Sequence, residues 1–168
     1  AKAKELGVSF FTYYLHKTLL AVNAVENFRY RIIDDEVFVF DRIDASATIL
    51  RDDKTFGFSL VEFDESLATF AEITKKEIAR IQVTPGLITR DFEINLIHFS
   101  AVPWIDFTSY SHARSFTWPD SCPKISYGKM TDENGKKTMA IAVHVHHGLA
   151  DGYHVGQFLT LLQELMNE

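Results

Sequence analysis

Segments of helical periodicity alternate along this chain with clusters of short β-strands, and this order limits the folds that it can adopt. Ser9 is a suitable N-cap, and the apolar spacing that follows predicts a first helix ending near Val25. Asp64 is expected to cap a second amphipathic helix, with the sequence ESLATFAEITKKEIARI. Asp151 is expected to open a third, with the sequence GYHVGQFLTLLQEL.

The segments between these helices are rich in β-branched and aromatic residues. FRYRII and EVFVFD flank the turn residues Asp34 and Asp35, which predicts a hairpin. The further strand candidates are SATIL, FGFSLVEF, EINLIHFSAV, KISYGK and KTMAIAVHVHH. A turn at residues 133–136 is expected to join the last two. Residues 82–92 contain Thr-Pro-Gly and show no periodicity, so we predict a loop there.

The order helix, strands, helix, strands, helix predicts the fold class. It favours an α+β domain over a doubly wound parallel sheet. We expect a two-layer sandwich in which helices cover a mainly antiparallel or mixed sheet. With 168 residues, 46% of them apolar, the chain can bury a core, and no repeat or linker divides residues 1–168, so we expect a single domain. Because the first residue is not Met, this domain is expected to lack its native N-terminal segment.

Charge and composition exclude several kinds of partner. The formal net charge of -6 argues against binding to nucleic acid or to an anionic membrane, both of which need a basic field. No apolar run reaches the length of a membrane-spanning helix, and the start of the chain does not have the pattern of a signal peptide. The single cysteine, Cys122, cannot form an internal disulfide. We therefore predict a soluble, cytoplasmic protein.

Four of the seven histidines lie in the stretch AVHVHHGLADGYH. Because side chains alternate along a strand, His144 and His146 would share one face and His147 would lie on the other. A zinc site needs converging ligands, and His147-x-x-x-Asp151, even with His154, is not a recognised metal pattern. We therefore predict no metal. His144, His146 and His154 are each expected to form structural hydrogen bonds at a strand end or a helix cap.

His147 is interpreted as a base positioned for proton transfer. It is predicted to stand where a strand stops, before Gly148 and four residues before the helix-capping Asp151. Turns from strand to helix expose such a side chain at the rim of a sheet, and a neutral imidazole there can accept a proton from a hydroxyl near neutral pH. Asp151 could fix this geometry through the helix N-terminus or by pairing with an arginine. Gly152 leaves the backbone free to turn.

The segment VHVHHGLADGYHVGQFLTLLQEL resembles the signature of the chloramphenicol acetyltransferase family, in which a strand ends in His-His-x-x-x-Asp-Gly and a C-terminal helix follows. His-x-x-x-Asp-Gly alone is shared with the wider CoA-dependent acyltransferases, including dihydrolipoyl acyltransferases. HFSAVPWIDF, NFRYRIIDDEVFVFD and PKISYGK are similar to other blocks of the family. Together these blocks cover nearly the whole chain in the expected order.

The resemblance implies a homotrimer with active sites at the subunit interfaces, which uses acetyl-CoA and a hydroxyl acceptor in a ternary complex. His147 would be the general base, and Ser100 would help to stabilise the tetrahedral oxyanion of the bound thioester. Asp151 would be structural and would pair with an arginine from the N-terminal segment. No arginine precedes Arg29 in this sequence. A buried Asp151 without a partner of opposite charge would lower the stability of the fold.

The resemblance also assigns residues to the cofactor and to the acceptor. Lys129 would lie near the phosphates of CoA, although Met130 replaces the aromatic residue that often follows it. Phe56, Tyr110, His112 and Ser126 would line the acceptor pocket. Of these, His112 replaces a usually aliphatic residue. Phe58, a further departure from the family pattern, replaces a smaller residue, so the range of acceptors is expected to differ.

These inferences predict acetyl-CoA-dependent O-acetylation of chloramphenicol by a histidine base, without a metal. The alternatives are an O-acetyltransferase of the same fold with another hydroxyl acceptor, a fragment of a dihydrolipoyl acyltransferase, and a non-catalytic trimeric relative. The absence of a lipoyl domain and of an Ala/Pro linker in this sequence argues against the second alternative. The departures at Phe58, His112 and Met130 motivate the third.

Overall fold

The computed structural model describes residues 2–112 and 120–168. Within these ranges, the helices are α1 (Lys2–Glu5), α2 (Phe10–Ala24), α3 (Leu67–Val83) and α4 (Gly152–Asn167), and a 3-10 turn covers Glu26–Arg29. The strands are β1 (Tyr30–Ile33), β2 (Glu36–Val39), β3 (Asp44–Leu50), β4 (Phe56–Phe58), β5 (Leu96–Ala101), β6 (Lys124–Glu133) and β7 (Lys136–His144).

Strands β3 to β7 form one mixed five-stranded sheet in the order β4-β3-β5-β6-β7. The β3–β5 and β5–β6 pairs are parallel, and the two outer pairs are antiparallel. The β1–β2 pair is a separate hairpin, whose turn residues Asp34 and Asp35 have φ values of 49° and 62°. The α+β class, the mixed sheet and the hairpin predicted from the sequence are thus confirmed.

The helix caps show how closely the sequence fixes the ends of helices. The Ser9 hydroxyl accepts the Thr12 N–H at 3.0 Å, as expected for the cap of α2. The expected Asp64 cap of α3 is wrong, because Ser66 caps this helix. The Asp64 carboxylate instead accepts the Ser66 N–H at 2.8 Å and closes the turn that leads into the helix.

The edge strand β4 is shorter than the predicted segment, which extended to Phe63. Beyond Phe58 the chain still bonds to β3, because the Ser59 and Val61 N–H groups donate to the Ala47 and Ala45 carbonyls at 2.9 and 2.8 Å. An isolated bridge between Ala45 and Val61 continues the pairing in the same register. The Leu60 N–H points away from β3, at the sheet edge, and donates to the Glu77 carboxylate of α3 at 2.7 Å.

Strand β7 also ends earlier than predicted, three residues before His147. Its last pair joins His144 to Lys124, which is the first residue of β6. Because no strand residue lies beyond Lys124 to pair with them, Val145 and His146 leave the ladder. His147 therefore lies in the turn that follows, not at the end of the strand.

The segment 82–92 is irregular after α3 ends at Val83, which confirms the predicted loop. The buried guanidinium of Arg51 holds it in place. Its Nη2 donates to the carbonyls of Thr84 and Gly86, both at 2.7 Å. The Arg51 side chain thus supports the loop together with an isolated parallel bridge between Ile88 and Phe58.

The two faces of the large sheet have opposite characters, because side chains alternate along each strand. One face packs against α2, α3 and α4 and forms the core. Its fully or nearly fully buried members include Ala45, Ala47, Ile97, Phe99, Ile125 and Tyr127, which meet Leu15, Leu19, Phe70, Phe158 and Leu162 of the helices. The sheet and these helices form the two layers expected from the sequence.

The opposite face is polar and carries two rows of aligned side chains. Ser46, His98, Lys124 and His144 are in register in one row. Ser100, Ser126 and Ala142 are in register in the next. No helix of the described residues is long and apolar enough to cross a membrane.

His16 joins α2 to the residues that precede α3. It is 3% exposed, and its Nε2–H lies 3.1 Å from the carbonyl oxygens of both Asp64 and Glu65. Burial lowers the pKa of His16, which the two carbonyls only partly oppose. The folded chain therefore binds this proton more weakly than the unfolded chain does.

This difference predicts a stability that falls as the medium becomes acidic. The His16 contribution is complete above the unfolded histidine pKa of about 6.5 and is lost as the pH falls below it. We expect the melting temperature of His16→Gln, which keeps a donor but cannot titrate, to depend less on pH between 7 and 5 than that of the original protein. Identical pH dependence in thermal unfolding of the two proteins would contradict this assignment.

Candidate active site

The turn after β7 presents His147 to solvent. The backbone N–H groups of Leu149 and Ala150 both donate to the His146 carbonyl, at 2.9 and 3.1 Å. The Gly148 N–H lies 3.3 Å from His146 Nδ1, and a Cβ at Gly148 would come within 3.2 Å of the same ring. The turn is therefore closed by its own backbone and by the His146 ring, while the His147 side chain remains exposed.

Asp151 caps the helix that follows the turn, as the sequence predicts. Its carboxylate accepts the N–H groups of Tyr153 at 2.9 Å and His154 at 3.5 Å. The His154 Nδ1 lies 2.9 Å from the same carboxylate and 3.2 Å from the Asp151 N–H, which completes a capping box. These bonds, chiefly that from Tyr153, lower the pKa of Asp151.

Of the two roles left open for Asp151, the described residues show the one at the helix N-terminus. Its partners are this helix end and His154, and no arginine of the described residues contacts it. The Asp151 side chain is 52% exposed in the single chain. An exposed carboxylate at a helix N-terminus is stabilised by the free N–H groups and by the helix dipole. Its pairing with an arginine from an N-terminal segment stays a prediction.

Asn27 anchors the turn to the rest of the molecule. Its Nδ2 donates to the Leu149 carbonyl at 2.7 Å, across 122 positions of sequence. Leu149 and Ala150 are themselves buried. The segment between His147 and Asp151 is therefore held at its buried side by the 3-10 turn and at its end by the cap of α4.

Ser100 lies on the polar face of the sheet and lines a cavity of about 230 Å³. Residues of β3, β4, β5, β6 and the loop before β6 line it: Ser46, Thr48, Phe58, His98, Phe99, Ser100, His112 and Lys124. Three of these residues carry hydroxyl groups and two carry imidazoles. The ring of Phe99 faces the core on the other side of the sheet, so Phe58 supplies the phenyl ring at the cavity.

His112 and Ser126 form a direct pair at this cavity. His112 Nε2 lies 2.9 Å from the hydroxyl of Ser126, which is fully buried on β6. The His112 ring stands edge-on to Tyr110, with centroids 5.1 Å apart, and to His144, at 5.4 Å. Burial lowers the pKa of His112 most strongly, followed by the neighbouring His144 and Lys124.

The other residues assigned from the resemblance lie further from this pair. Phe56 does not line the cavity and is 43% exposed, with its ring 5.9 Å from that of Phe58. Lys129 is exposed beyond Ser126 on β6, and its N–H donates to the Ile105 carbonyl at 2.8 Å. The structure thus brings Ser100, Ser126, Tyr110 and His112 to one region, with Phe56 and Lys129 at its margins.

His147 is not brought to that region within one chain. Ser100 is in register with Ser126, and Ser126 with Ala142. His147 lies five residues after Ala142, beyond the end of β7, on the side of Lys124 away from Ser100. The two residues expected to act on the same thioester are therefore separated in the single chain.

One group of residues with metal-binding atoms occurs among the described residues, away from His147. The ligand atoms of His98, Asp120 and Cys122 lie within 4.8 Å of one another. Asp120 is already ion-paired with Lys124, and the Ile94 carbonyl accepts from both Cys122 Sγ, at 3.4 Å, and Arg31 Nε, at 2.7 Å. Two resident cations oppose a divalent ion here. Cys122 therefore lies close to His98 in space and is not part of the His147 turn.

Sequence reasoning missed three residues of this region: His98, Lys124 and Asn27. The alternation rule could have found the first two, because each lies two positions before a chosen residue, Ser100 or Ser126, and so shares its face. No sequence signal indicates Asn27, whose bond to the turn depends on the tertiary fold.

The mixed sheet, the helices on one face and the exposed histidine turn define an acyltransferase fold. A similar fold occurs in a protein of Listeria monocytogenes described as a probable dihydrolipoamide acetyltransferase, with a TM-score of 0.70 at 12% identity over 98% of this chain and 74% of the other. A chloramphenicol acetyltransferase structure has a TM-score of 0.83 at 27% identity and covers 98% of this chain and 80% of the other.

The sequence relations are more specific. Residues 1–163 match the family described as chloramphenicol acetyltransferase. A chloramphenicol acetyltransferase of Bacillus pumilus is 30% identical over 97% of this chain and 75% of its own length, and chloramphenicol acetyltransferase 3 of Escherichia coli is 28% identical over 98% and 79%. The chain belongs to the chloramphenicol acetyltransferase family and is an acyltransferase, which confirms the resemblance drawn from its motifs.

The capping geometry predicts how Asp151 stabilises the fold. Asp151→Ala removes the acceptor of two N–H groups and should lower the free energy of unfolding. Asp151→Asn keeps an acceptor oxygen and should lower it by less. Urea unfolding of the three proteins measures both effects, and equal losses for the two variants would mean that charge, not capping, is what Asp151 contributes.

Proposed function

We propose that this protein transfers the acetyl group of acetyl-CoA to a hydroxyl of a small-molecule acceptor, with His147 as the general base. The observation that carries this proposal is the exposed His147 side chain on a turn fixed by the Asn27 bond and the Asp151 cap. A base must reach its substrate without moving far, because small displacements of a reacting group are costly in rate. Membership of an acyltransferase family supports the same reaction.

In the proposed reaction, the imidazole of His147 accepts the proton of the acceptor hydroxyl as its oxygen attacks the thioester carbonyl. The carbon–sulfur bond then breaks, and the proton passes to the departing CoA sulfur. The products are an acetyl ester and free CoA. No metal is required, since the hydroxyl is activated by the base alone.

The separation of His147 from Ser100 in one chain supports a homotrimer with shared sites. In the proposed assembly, His147 of one copy faces Ser100 of a second copy across their interface. The Ser100 hydroxyl would then donate to the oxyanion of the tetrahedral intermediate. Asp151 acts only through the turn that it holds, and Lys129, exposed at the margin, is proposed to meet the phosphates of CoA.

Chloramphenicol, named for the relatives, is the first acceptor to test. Tyr110, His112 and Ser126 would contact the acceptor, with Phe56 at the edge of its site. The proposed location is cytoplasmic, with neither nucleic acid nor membrane as a partner. The polar lining of the cavity favours a second candidate, the same transfer to a different hydroxyl compound.

Replacement of the proposed base gives the most direct test. His147→Ala should reduce kcat at least about 1,000-fold, with the oligomer and the melting temperature unchanged, because the ring is exposed and makes no fold contact that the turn depends on. Release of CoA thiol with acetyl-CoA and chloramphenicol measures the rate. Lys136→Ala, at the exposed start of β7 and outside the turn, is the control and should retain most of the activity. Near-normal turnover by His147→Ala would remove the base assignment.

The serine has a distinct expected signature. Ser100→Ala should lower kcat about 100-fold and change KM little, because the oxyanion exists only beyond the ground state. Ser46→Ala, which removes a hydroxyl from the same cavity one row away, should change KM for the acceptor more than kcat. If both variants alter kcat and KM in equal proportion, Ser100 merely positions the substrate.

A further inference from the structure

The histidine turn, residues 145–150, is shaped mainly by bonds between its own residues. The backbone N–H groups at positions 148–150 all return to His146, and the Asp151 carboxylate bonds to N–H groups in the first turn of α4. Such local bonds fix the shape of the turn, but they do not fix where it lies relative to the sheet. Among the described residues, one hydrogen bond joins this turn to a distant segment, from Asn27 Nδ2 to the Leu149 carbonyl at 2.7 Å.

Asn27 lies on a support that is itself held by packing. It belongs to the 3-10 turn that follows α2, and its neighbour Phe28 is fully buried. The Phe28 ring stacks on that of Phe158 in α4, with centroids 4.9 Å apart. The next residue, Arg29, donates from Nη1 to the Phe40 carbonyl at 2.8 Å. Adjacent residues of the 3-10 turn therefore hold the histidine turn and the helix that follows it.

The carbonyl that Asn27 reaches belongs to the buried side of the histidine turn. Leu149 and Ala150 are 7% and 4% exposed, which leaves little room for water to replace the amide. A buried carbonyl that loses its donor keeps the full cost of its desolvation, so the backbone around it tends to shift toward another partner. Loss of the Asn27 amide is therefore expected to displace the turn as well as to lower the stability of the fold.

We propose that Asn27 is a positioning residue for the acetyl transfer: through the Leu149 carbonyl, it sets the position of the exposed His147 imidazole two residues earlier. This inference rests on the proposed function, in which that imidazole is the general base. A displacement of about 1 Å in a reacting group can lower the rate by about 100-fold. Asn27 thus controls the rate without touching the substrate or the reacting atoms.

The chain contains a matched asparagine for comparison. Asn23 lies four positions earlier, in α2, and its Nδ2 donates to the carbonyls of Leu19 and Ile43, both at 2.9 Å. Its Oδ1 also accepts the Ile43 N–H at 2.8 Å. Among the described residues, the Asn23 side chain therefore makes three bonds where that of Asn27 makes one, and none of the three reaches the histidine turn. Asn23 is expected to matter more for stability and less for the rate.

The two alanine variants should affect stability and rate in opposite order. Asn23→Ala should lower the melting temperature more than Asn27→Ala does, because it removes three bonds and not one. Asn27→Ala should lower kcat about 10-fold, with KM for acetyl-CoA and chloramphenicol nearly unchanged, whereas Asn23→Ala should keep kcat near the original value. Thermal unfolding and release of CoA thiol measure the two effects. Equal losses of kcat in the two variants, or an unchanged kcat in Asn27→Ala, would overturn the proposal.

Asn27→Asp removes the donor and keeps the size of the side chain. At neutral pH it places a carboxylate oxygen opposite the Leu149 carbonyl, and two acceptors repel each other. Its kcat should therefore fall further than that of Asn27→Ala, again with little change in KM. A kcat equal to that of the original protein would show that the bond to Leu149 does not position the base.

A double variant tests whether Asn27 acts through His147. Two residues that act as one unit have non-additive effects on the rate. In the His147→Ala background, Asn27→Ala should therefore lower the residual rate of CoA release little further. A further loss as large as that in the original protein would mean that Asn27 acts elsewhere, which overturns the proposal.

Amide hydrogen exchange distinguishes failure of this inference from failure of the proposed function. Asn27→Ala should speed exchange at Leu149 and Ala150 relative to the middle of α4, and Asn23→Ala should not. Faster exchange there, with no CoA release by the original protein from any acceptor, would support the anchoring of the turn and refute acetyl transfer. Unchanged exchange would overturn the anchoring whatever the rate of transfer, and faster exchange with an unchanged kcat would overturn the positioning role.

Discussion

The alternation of side chains across the five-stranded sheet determines the rest of this structure. Because α2, α3 and α4 all pack on one face, every second residue of β3, β5 and β6 must be apolar there. The residues between them are released from the core and can be polar. Ser100, Ser126, His98 and Lys124 owe their common surface to this single constraint, so the core and the reactive face are specified by the same strands.

Sequence reasoning reached the fold where local signals agreed with tertiary packing. The Ser9 cap and the Asp34–Asp35 hairpin follow from short-range chemistry, and both are present. Predictions of strand ends were weaker, because ladders stop where a partner stops: β7 ends where β6 begins, at Lys124. The periodicity of one strand cannot show how long the neighbouring strand is.

The same distinction applies to the site. The motif placed His147 and Asp151 around a turn, since both lie in one short stretch of sequence. The Asn27 contact joins distant segments, and no local pattern indicates it. Alternation places His98 on the face of Ser100 and Lys124 on the face of Ser126, but the pairing of β5 with β6 that brings them together depends on the tertiary fold. No arginine of the described residues contacts Asp151, whose exposed carboxylate bonds to the N-terminus of α4.

The Arg51 guanidinium sets limits on how this family member could diversify. A Cβ at Gly57 would lie 2.5 Å from Arg51 Nη2, the atom that bonds the carbonyls of Thr84 and Gly86. Gly57 separates Phe56 from Phe58, so β4, whose Phe58 lines the cavity, and the loop after α3 share one support. The glycine is coupled to a segment distant in sequence and will therefore tolerate little change.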